Sequence, residues 1–128
     1  MAKQLKRILF AEDEDEIRTV AKIALEAVGG FELVACASGA EAIAAAPDAR
    51  ADLLLLDVMM PGMDGPATLA ALRGMPATAH TPVIFMTAKV QPAEVARYIA
   101  LGALGVIPKP FSPMQVSDAI RRLWEKGG

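Results

Sequence analysis

Five residues whose side chains can do chemistry stand where short apolar runs end. Glu12-Asp13 follow Ile8-Leu9-Phe10-Ala11, Asp57 follows Leu53 to Leu56, Thr87 follows Val83-Ile84-Phe85-Met86, and Lys109-Pro110 closes the run around Gly105-Val106-Ile107. If those ends share one edge of a sheet, three carboxylates, a hydroxyl and an ammonium converge. Gathered carboxylates repel one another, and protonating them would waste their charge. A hard divalent cation resolves the repulsion, and few carboxylates with open water positions favour Mg²⁺ over Ca²⁺. Asp57, alone on its own strand end, can then attack phosphorus and become an aspartyl phosphate. Phosphoryl transfer asks chiefly for positioning and for neutralising the equatorial oxygens. The metal, Lys109 and the Thr87 hydroxyl can each take one.

The elements that must position these residues are legible in the same sequence. Besides the runs just named, Leu33-Val34-Ala35-Cys36 reads as a strand, giving five strands in all. They are apolar throughout rather than alternating, as a parallel sheet covered on both faces requires. Between the first two strands, Ile17, Val20, Ala21, Ala24 and Val28 recur at helical spacing until Gly29-Gly30. Ser38 and Glu41 form a capping box for a helix running to the region of Pro47. Met60 to Gly65 is turn chemistry, after which Pro66 opens a helix reaching Gly74. Pro92 opens the next, which closes near Gly102. Ser112-Pro113-Met114-Gln115 is a second capping box, before a stripe of Val116, Ala119, Ile120, Leu123 and Trp124. Strands alternating with helices imply right-handed crossovers and a doubly wound three-layer α/β fold. In such a sheet ligands bind beyond the carboxyl ends of the strands, which is where all five reactive residues fall.

Composition narrows the class. The 128 residues amount to one domain, large enough for a core without a metal or disulfide staple. Hydrophobic residues make up 54%, but 25 of the 128 are alanine, which raises hydropathy without making a membrane span. The longest stretch free of polar side chains, Ile99 to Pro108, is broken by Gly102 and Gly105 and falls well short of the ~20 residues a spanning helix needs. The apolar run after Lys3, Lys6 and Arg7 is too short for a signal peptide. A net charge of −2 gives no reason to expect direct nucleic-acid binding. The single Cys36 excludes an internal disulfide and fits a reducing, cytoplasmic location.

Glu12-Asp13, Asp57 within Leu-Leu-Asp-Val-Met-Met-Pro-Gly-Met-Asp-Gly, Thr87-Ala88 and Lys109-Pro110-Phe111 together resemble the receiver domain of two-component response regulators. The resemblance covers nearly the whole chain, with matching separations between motifs. It implies the flavodoxin-like (βα)5 fold, a five-stranded parallel sheet in the order 2-1-3-4-5, and one receiver domain over residues 1–128 with no output domain. It further implies Asp57 as phosphoacceptor, and Asp13, Asp57 and the Met59 carbonyl as Mg²⁺ ligands, with Glu12 reaching the ion through water. Thr87 and Lys109 are expected on the phosphoryl oxygens, and the peptide bond before Pro110 is expected to be cis. The implied phosphoryl donor is a sensor histidine kinase or a phosphotransfer protein, and the activity is a switch rather than a turnover enzyme.

Two positions depart from the pattern. Glu12 stands where Asp is commoner, and its longer arm still reaches a metal-bound water. Val106 occupies the fifth-strand position that usually carries Tyr or Phe, and its short, stiff side chain cannot make an aromatic swing. Tyr98, on the fourth helix, is the candidate to stand in for it. Met59, flanking the site with Lys89, offers no hydrogen bond to an attacking water, so a slow loss of the phosphoryl group is expected. The downstream partner is expected on the face made by the fourth helix, fifth strand and fifth helix, with Tyr98 and Val106 among its residues.

Blander readings exist for each residue. Glu14, Asp15 and Glu16 stabilise a helix N-terminus, His80 lies in an exposed loop, Cys36 is a core residue, and Trp124 packs on its helix stripe. Three other functions compete, of which a nucleotide-binding flavodoxin-like domain would want a phosphate-cradling Gly loop after the first strand, where this chain has none. A haloacid-dehalogenase-type phosphatase also uses a strand-end Asp with Mg²⁺, but wants a second Asp where this chain has Met59. A degenerate receiver would bind partners without phosphorylation, against which stand Asp13, Asp57, Thr87 and Lys109.

Overall fold

Every residue of Leu53–Asp57 and of Val83–Thr87 is buried, because helices cover both faces of the strands they form. The computed structural model describes residues 4–127. Its strands are β1 (Arg7–Ala11), β2 (Glu32–Cys36), β3 (Leu53–Asp57), β4 (Val83–Thr87) and β5 (Ala103–Pro108). They form one five-stranded sheet in the order β2-β1-β3-β4-β5, and each adjacent pair is parallel. The helices are α1 (Asp15–Lys22), α2 (Gly39–Ala49), α3 (Gly65–Arg73), α4 (Pro92–Ala100) and α5 (Val116–Gly127). This is the flavodoxin-like (βα)5 arrangement.

The alternation of side chains along the strands divides the core in two. On one face Leu9, Leu54, Leu56 and Phe85 meet Ala42 and Ala46 of α2, Leu69 and Leu72 of α3, and Tyr98 of α4. On the other, Ile8, Phe10, Leu55 and Ile84 meet Ala21 of α1 and Val116 and Ile120 of α5. Ser38 caps α2 by accepting from the Glu41 N–H at 3.0 Å, and the Glu41 carboxylate returns a bond to the Ala37 N–H. Asp64 caps α3 through the Ala67 N–H at 2.8 Å, with Gly65 first and Pro66 second in the helix.

Several sequence expectations are corrected in detail. The first helix does not keep one period: α1 passes at Ile23–Val28 into a π-helical segment in which the Gly29 N–H reaches the Ala24 carbonyl. Val20 is exposed within α1 itself, and beyond Lys22 the wider turn rotates the stripe, so Leu25 is buried and Val28 exposed. Pro47 lies inside α2, which ends two residues later with Arg50 in the left-handed region at φ 51°. The fifth strand is longer than Gly105–Ile107 and is irregular in register near Ala103. At Ser112 the backbone carbonyl, not the hydroxyl, accepts from the Gln115 and Val116 N–H groups, so the expected capping box is replaced by a turn leading into α5. Tyr98 is buried, its ring 5.3 Å from that of Phe85, and is therefore not displayed on a partner surface.

Candidate functional site

Parallel strands deliver their carboxyl ends to one edge, and that topology assembles the site. Glu12 follows β1 directly, its N–H bonded to the Cys36 carbonyl at 3.0 Å. Asp57 ends β3, Thr87 ends β4, and Lys109 follows β5 with its N–H on the Thr87 carbonyl at 2.9 Å. The Lys109–Pro110 peptide bond is cis.

The side chains close into a compact cluster. The Lys109 ammonium donates to Glu12 Oε1 at 2.9 Å and to Asp57 Oδ1 at 3.1 Å. Glu12 is fully buried and Asp57 is 1% exposed. The second Asp57 oxygen, Oδ2, is buried without a hydrogen-bond partner. Glu12, Asp13 and Asp57 each bring a carboxylate oxygen within 4.8 Å of the others. Three carboxylates against one ammonium leave two formal negative charges (3 − 1 = 2), the complement of a divalent cation. At about 4 Å and an effective dielectric of roughly 20, each like-charge pair repels by about 4 kcal/mol.

That repulsion shows in the proton affinities. Burial pushes the Asp57 carboxyl up to about 7, the Glu12 charge pushes the same way, and Lys109 holds it back. Burial acts to lower the Lys109 value, but its hydrogen bonds to Glu12 and Asp57 and their charges outweigh it, raising the ammonium above its usual range. A carboxyl that half-titrates near neutrality is one waiting for a counter-charge. The all-oxygen donor set and its surplus of negative charge therefore fit a small hard cation.

The remaining candidates divide between the sheet edge and the core. Thr87 is buried, and its Oγ1 accepts from the Lys89 N–H at 3.0 Å, which leaves its own proton free to donate. Met59 is 66% exposed beside a cavity of about 600 Å³ that it lines with Met60, Pro61 and Asp64. Val106 is half-buried against the cluster containing Phe85 and Tyr98. Cys36 is buried with its thiol pushed up to about 11 by burial and by Glu41, and takes no part. Trp124 packs, half-buried, on the α5 side of the core.

Two positioning roles, those of Arg18 and Gly65, escaped the sequence reading. Arg18 donates to the Glu12 carbonyl at 2.9 Å and pairs with Asp15, pinning the loop that carries the acidic pair. Its signal is a cation standing two residues after the acidic string Glu12 to Glu16. Gly65 bonds through its N–H to the Val58 carbonyl, and a Cβ there would lie 2.5 Å from the Asp57 carbonyl oxygen. The loop after Asp57 can fold back only because residue 65 lacks a side chain.

Comparison with known proteins finds relatives along nearly the whole chain. The family described as response regulator receiver domain matches residues 8–121. The two-component response regulator ORR41 of Oryza sativa subsp. japonica is 40% identical over 88% of this chain and 89% of its own length. The transcriptional regulatory protein CpxR of Escherichia coli K12 is 37% identical over 93% of this chain, which spans only 49% of CpxR. Among solved structures, the chemotaxis response regulator CheY4 of Vibrio cholerae superposes with a TM-score of 0.84 at 31% identity, covering 94% of this chain and 99% of that one. No helix among the described residues is long and apolar enough to cross a membrane.

Proposed function

The chain belongs to the response regulator receiver domain family, and from that premise we propose that Asp57 is the phosphoacceptor of a phosphorylation-activated switch in a two-component system. The observation that carries this reading is the buried Asp57 carboxylate, with Oδ1 held by Lys109 and Oδ2 unpartnered. Oδ2 is free to attack phosphorus, forming a P–O bond as the donor's P–N bond breaks, with the electron pair leaving on the donor imidazole. The donor class is a phosphohistidine of a sensor kinase or phosphotransfer protein.

Each neighbour has a task in that step. Lys109 sits 3.1 Å from Asp57 Oδ1 and can follow the transferred group to neutralise one of its oxygens. Thr87, with its proton free, can turn its O–H from the loop to another. Asp13, Asp57 and the Met59 carbonyl would hold Mg²⁺, with Glu12 reaching it through water. When bound, the ion supplies charge neutralisation at the phosphoryl oxygens. Charge-assisted hydrogen bonds contribute roughly 1.5–3 kcal/mol each, so two give about 3–6. A shift from 1:99 to 99:1 needs about 5.5 kcal/mol, which only the upper end of that range reaches, so the switch is expected to be incomplete.

The reading is of a switch and not of a turnover enzyme: Met59 stands where a phosphatase of related chemistry needs a second Asp. We place the partner surface at α4, β5 and α5. A groove of about 660 Å³ between β5 and α5, lined by Val106, Ala119, Arg122, Leu123 and Lys126, supports this. The free Cys36 fits a cytoplasmic setting.

Intact-mass spectrometry after incubation with a small acyl phosphate and Mg²⁺ tests the central claim. A single phosphoryl adduct that needs Mg²⁺ and is lost in Asp57→Asn is expected. No adduct on folded, Mg²⁺-binding protein would overturn it in favour of a receiver that acts without phosphorylation.

A further inference from the structure

The two most exposed large apolar side chains among the described residues are both methionines, Met59 at 66% and Met114 at 70%. Both lie in loops on the carboxyl edge of the sheet, one following β3 and the other between β5 and α5. Met60 and Met86, by contrast, are 7% and 1% exposed. A thioether presented to solvent is open to two-electron oxidation, whereas a packed one is shielded. Met59 differs from Met114 in its place: it is two residues beyond Asp57, in the loop that leaves β3 directly from that residue.

We propose that Met59 is a peroxide-sensitive modification site whose oxidation shortens the lifetime of the phosphorylated state. The sulfur lone pair attacks a peroxide oxygen, the O–O bond breaks, and an S–O bond forms. Sulfur is oxidised by two electrons, and hydrogen peroxide is reduced to water. The product replaces an apolar tip with a strong hydrogen-bond acceptor on a side chain with three rotatable bonds. That acceptor can hold a water beside the acyl phosphate, where the thioether holds none. One such hydrogen bond, at about 1 kcal/mol, corresponds to roughly a fivefold faster hydrolysis. A reductase acting on methionine sulfoxide would restore the original state.

The effect on lifetime rests on Asp57 being the phosphoacceptor, and the test separates the two claims. The full chain is treated with hydrogen peroxide, peptide mass spectrometry reports which methionines gain oxygen, and intact mass follows decay of the adduct. Met59→Leu and Met114→Leu are run in parallel, each compared with its own untreated form. Expected are oxidation of Met59 and Met114 before Met60 and Met86, about fivefold faster decay after oxidation, loss of that acceleration in Met59→Leu, and its retention in Met114→Leu. Met59 oxidising no faster than Met60, unchanged decay, or acceleration persisting in Met59→Leu would each overturn the inference. Failure of untreated protein to form any adduct would instead overturn the Asp57 assignment, while the order of methionine oxidation still tests the site.

Discussion

Replacing Asp57 by Asn should make the metal-free domain more stable, and more so at alkaline pH. The folded state raises the Asp57 carboxyl from 3.8 to about 7, chiefly through burial and the Glu12 charge. Between those two values the native state holds the proton more tightly than the unfolded chain does. Stability therefore falls as pH rises through that window, and the full cost stands above pH 7. At 1.36 kcal/mol per pH unit the cost is roughly 4 kcal/mol at pH 8, about 2 at pH 5, and near zero below pH 4. Asn carries no charge to bury, and its amide oxygen can still accept from Lys109. Urea unfolding in chelator at pH 8 and pH 5 should thus show Asp57→Asn gaining up to about 4 and about 2 kcal/mol respectively. Added Mg²⁺ should narrow the gap at pH 8, because it stabilises most the protein that retains the Asp57 carboxylate. A variant less stable than the parent in chelator, or a gain that grows toward acid pH, would refute the electrostatic reasoning.

Lys109→Gln removes the cation between two buried carboxylates and should cost about 3 kcal/mol at pH 8, with less cost at pH 5, measured by the same unfolding curves. Gly65→Ala should cost about 1–3 kcal/mol and slow adduct formation, because its Cβ meets the Asp57 carbonyl; wild-type stability would mean the loop moves freely. Tyr98→Ala should lose about 3–5 kcal/mol in thermal or urea unfolding through the cavity left against Phe85. Tyr98→Phe should lose under about 1 kcal/mol, since the hydroxyl has only a 3.4 Å contact to Glu94.

The site was legible because its logic is topological. Once β1, β3, β4 and β5 were seen as apolar runs in a parallel sheet, the residues ending them had to share an edge, and Glu12, Asp57 and Lys109 do. What spacing could not reveal was direction. Nothing in the sequence says that the Lys109 ammonium divides itself between Glu12 and Asp57, or that Thr87 faces the Lys89 N–H. Helix faces failed where the period changed. A stripe read at helical spacing grouped Val20 and Val28 with Ala21 and Ala24; Val20 falls off the buried face of α1, and the wide segment after Lys22 takes Val28 off it. Tyr98 was misjudged because an aromatic near a vacated aromatic position suggests display. The structure instead packs its ring into the core beside Val106.

The π-helical segment Ile23–Val28 has a consequence for how the chain tolerates changes of length. Its hydrogen bonding skips one residue further than an α-turn, so it holds a residue that an α-helix of the same span would not need. The Ala24 carbonyl that accepts from Gly29 also accepts the Ser117 hydroxyl of α5 at 3.1 Å, and Arg121 of α5 bonds the Gly29 carbonyl. Both ends of the surplus are thereby tied to a neighbouring helix rather than to the sheet. Loss of one exposed residue here, such as Ala27, could be absorbed by tightening to an α-turn, with α1 upstream and β2 downstream keeping their places. A single-residue deletion in α2 or α4 has no such slack and would rotate the rest of the helix. The first helix therefore contains a length adjuster, and variation in chain length among related sequences should collect there.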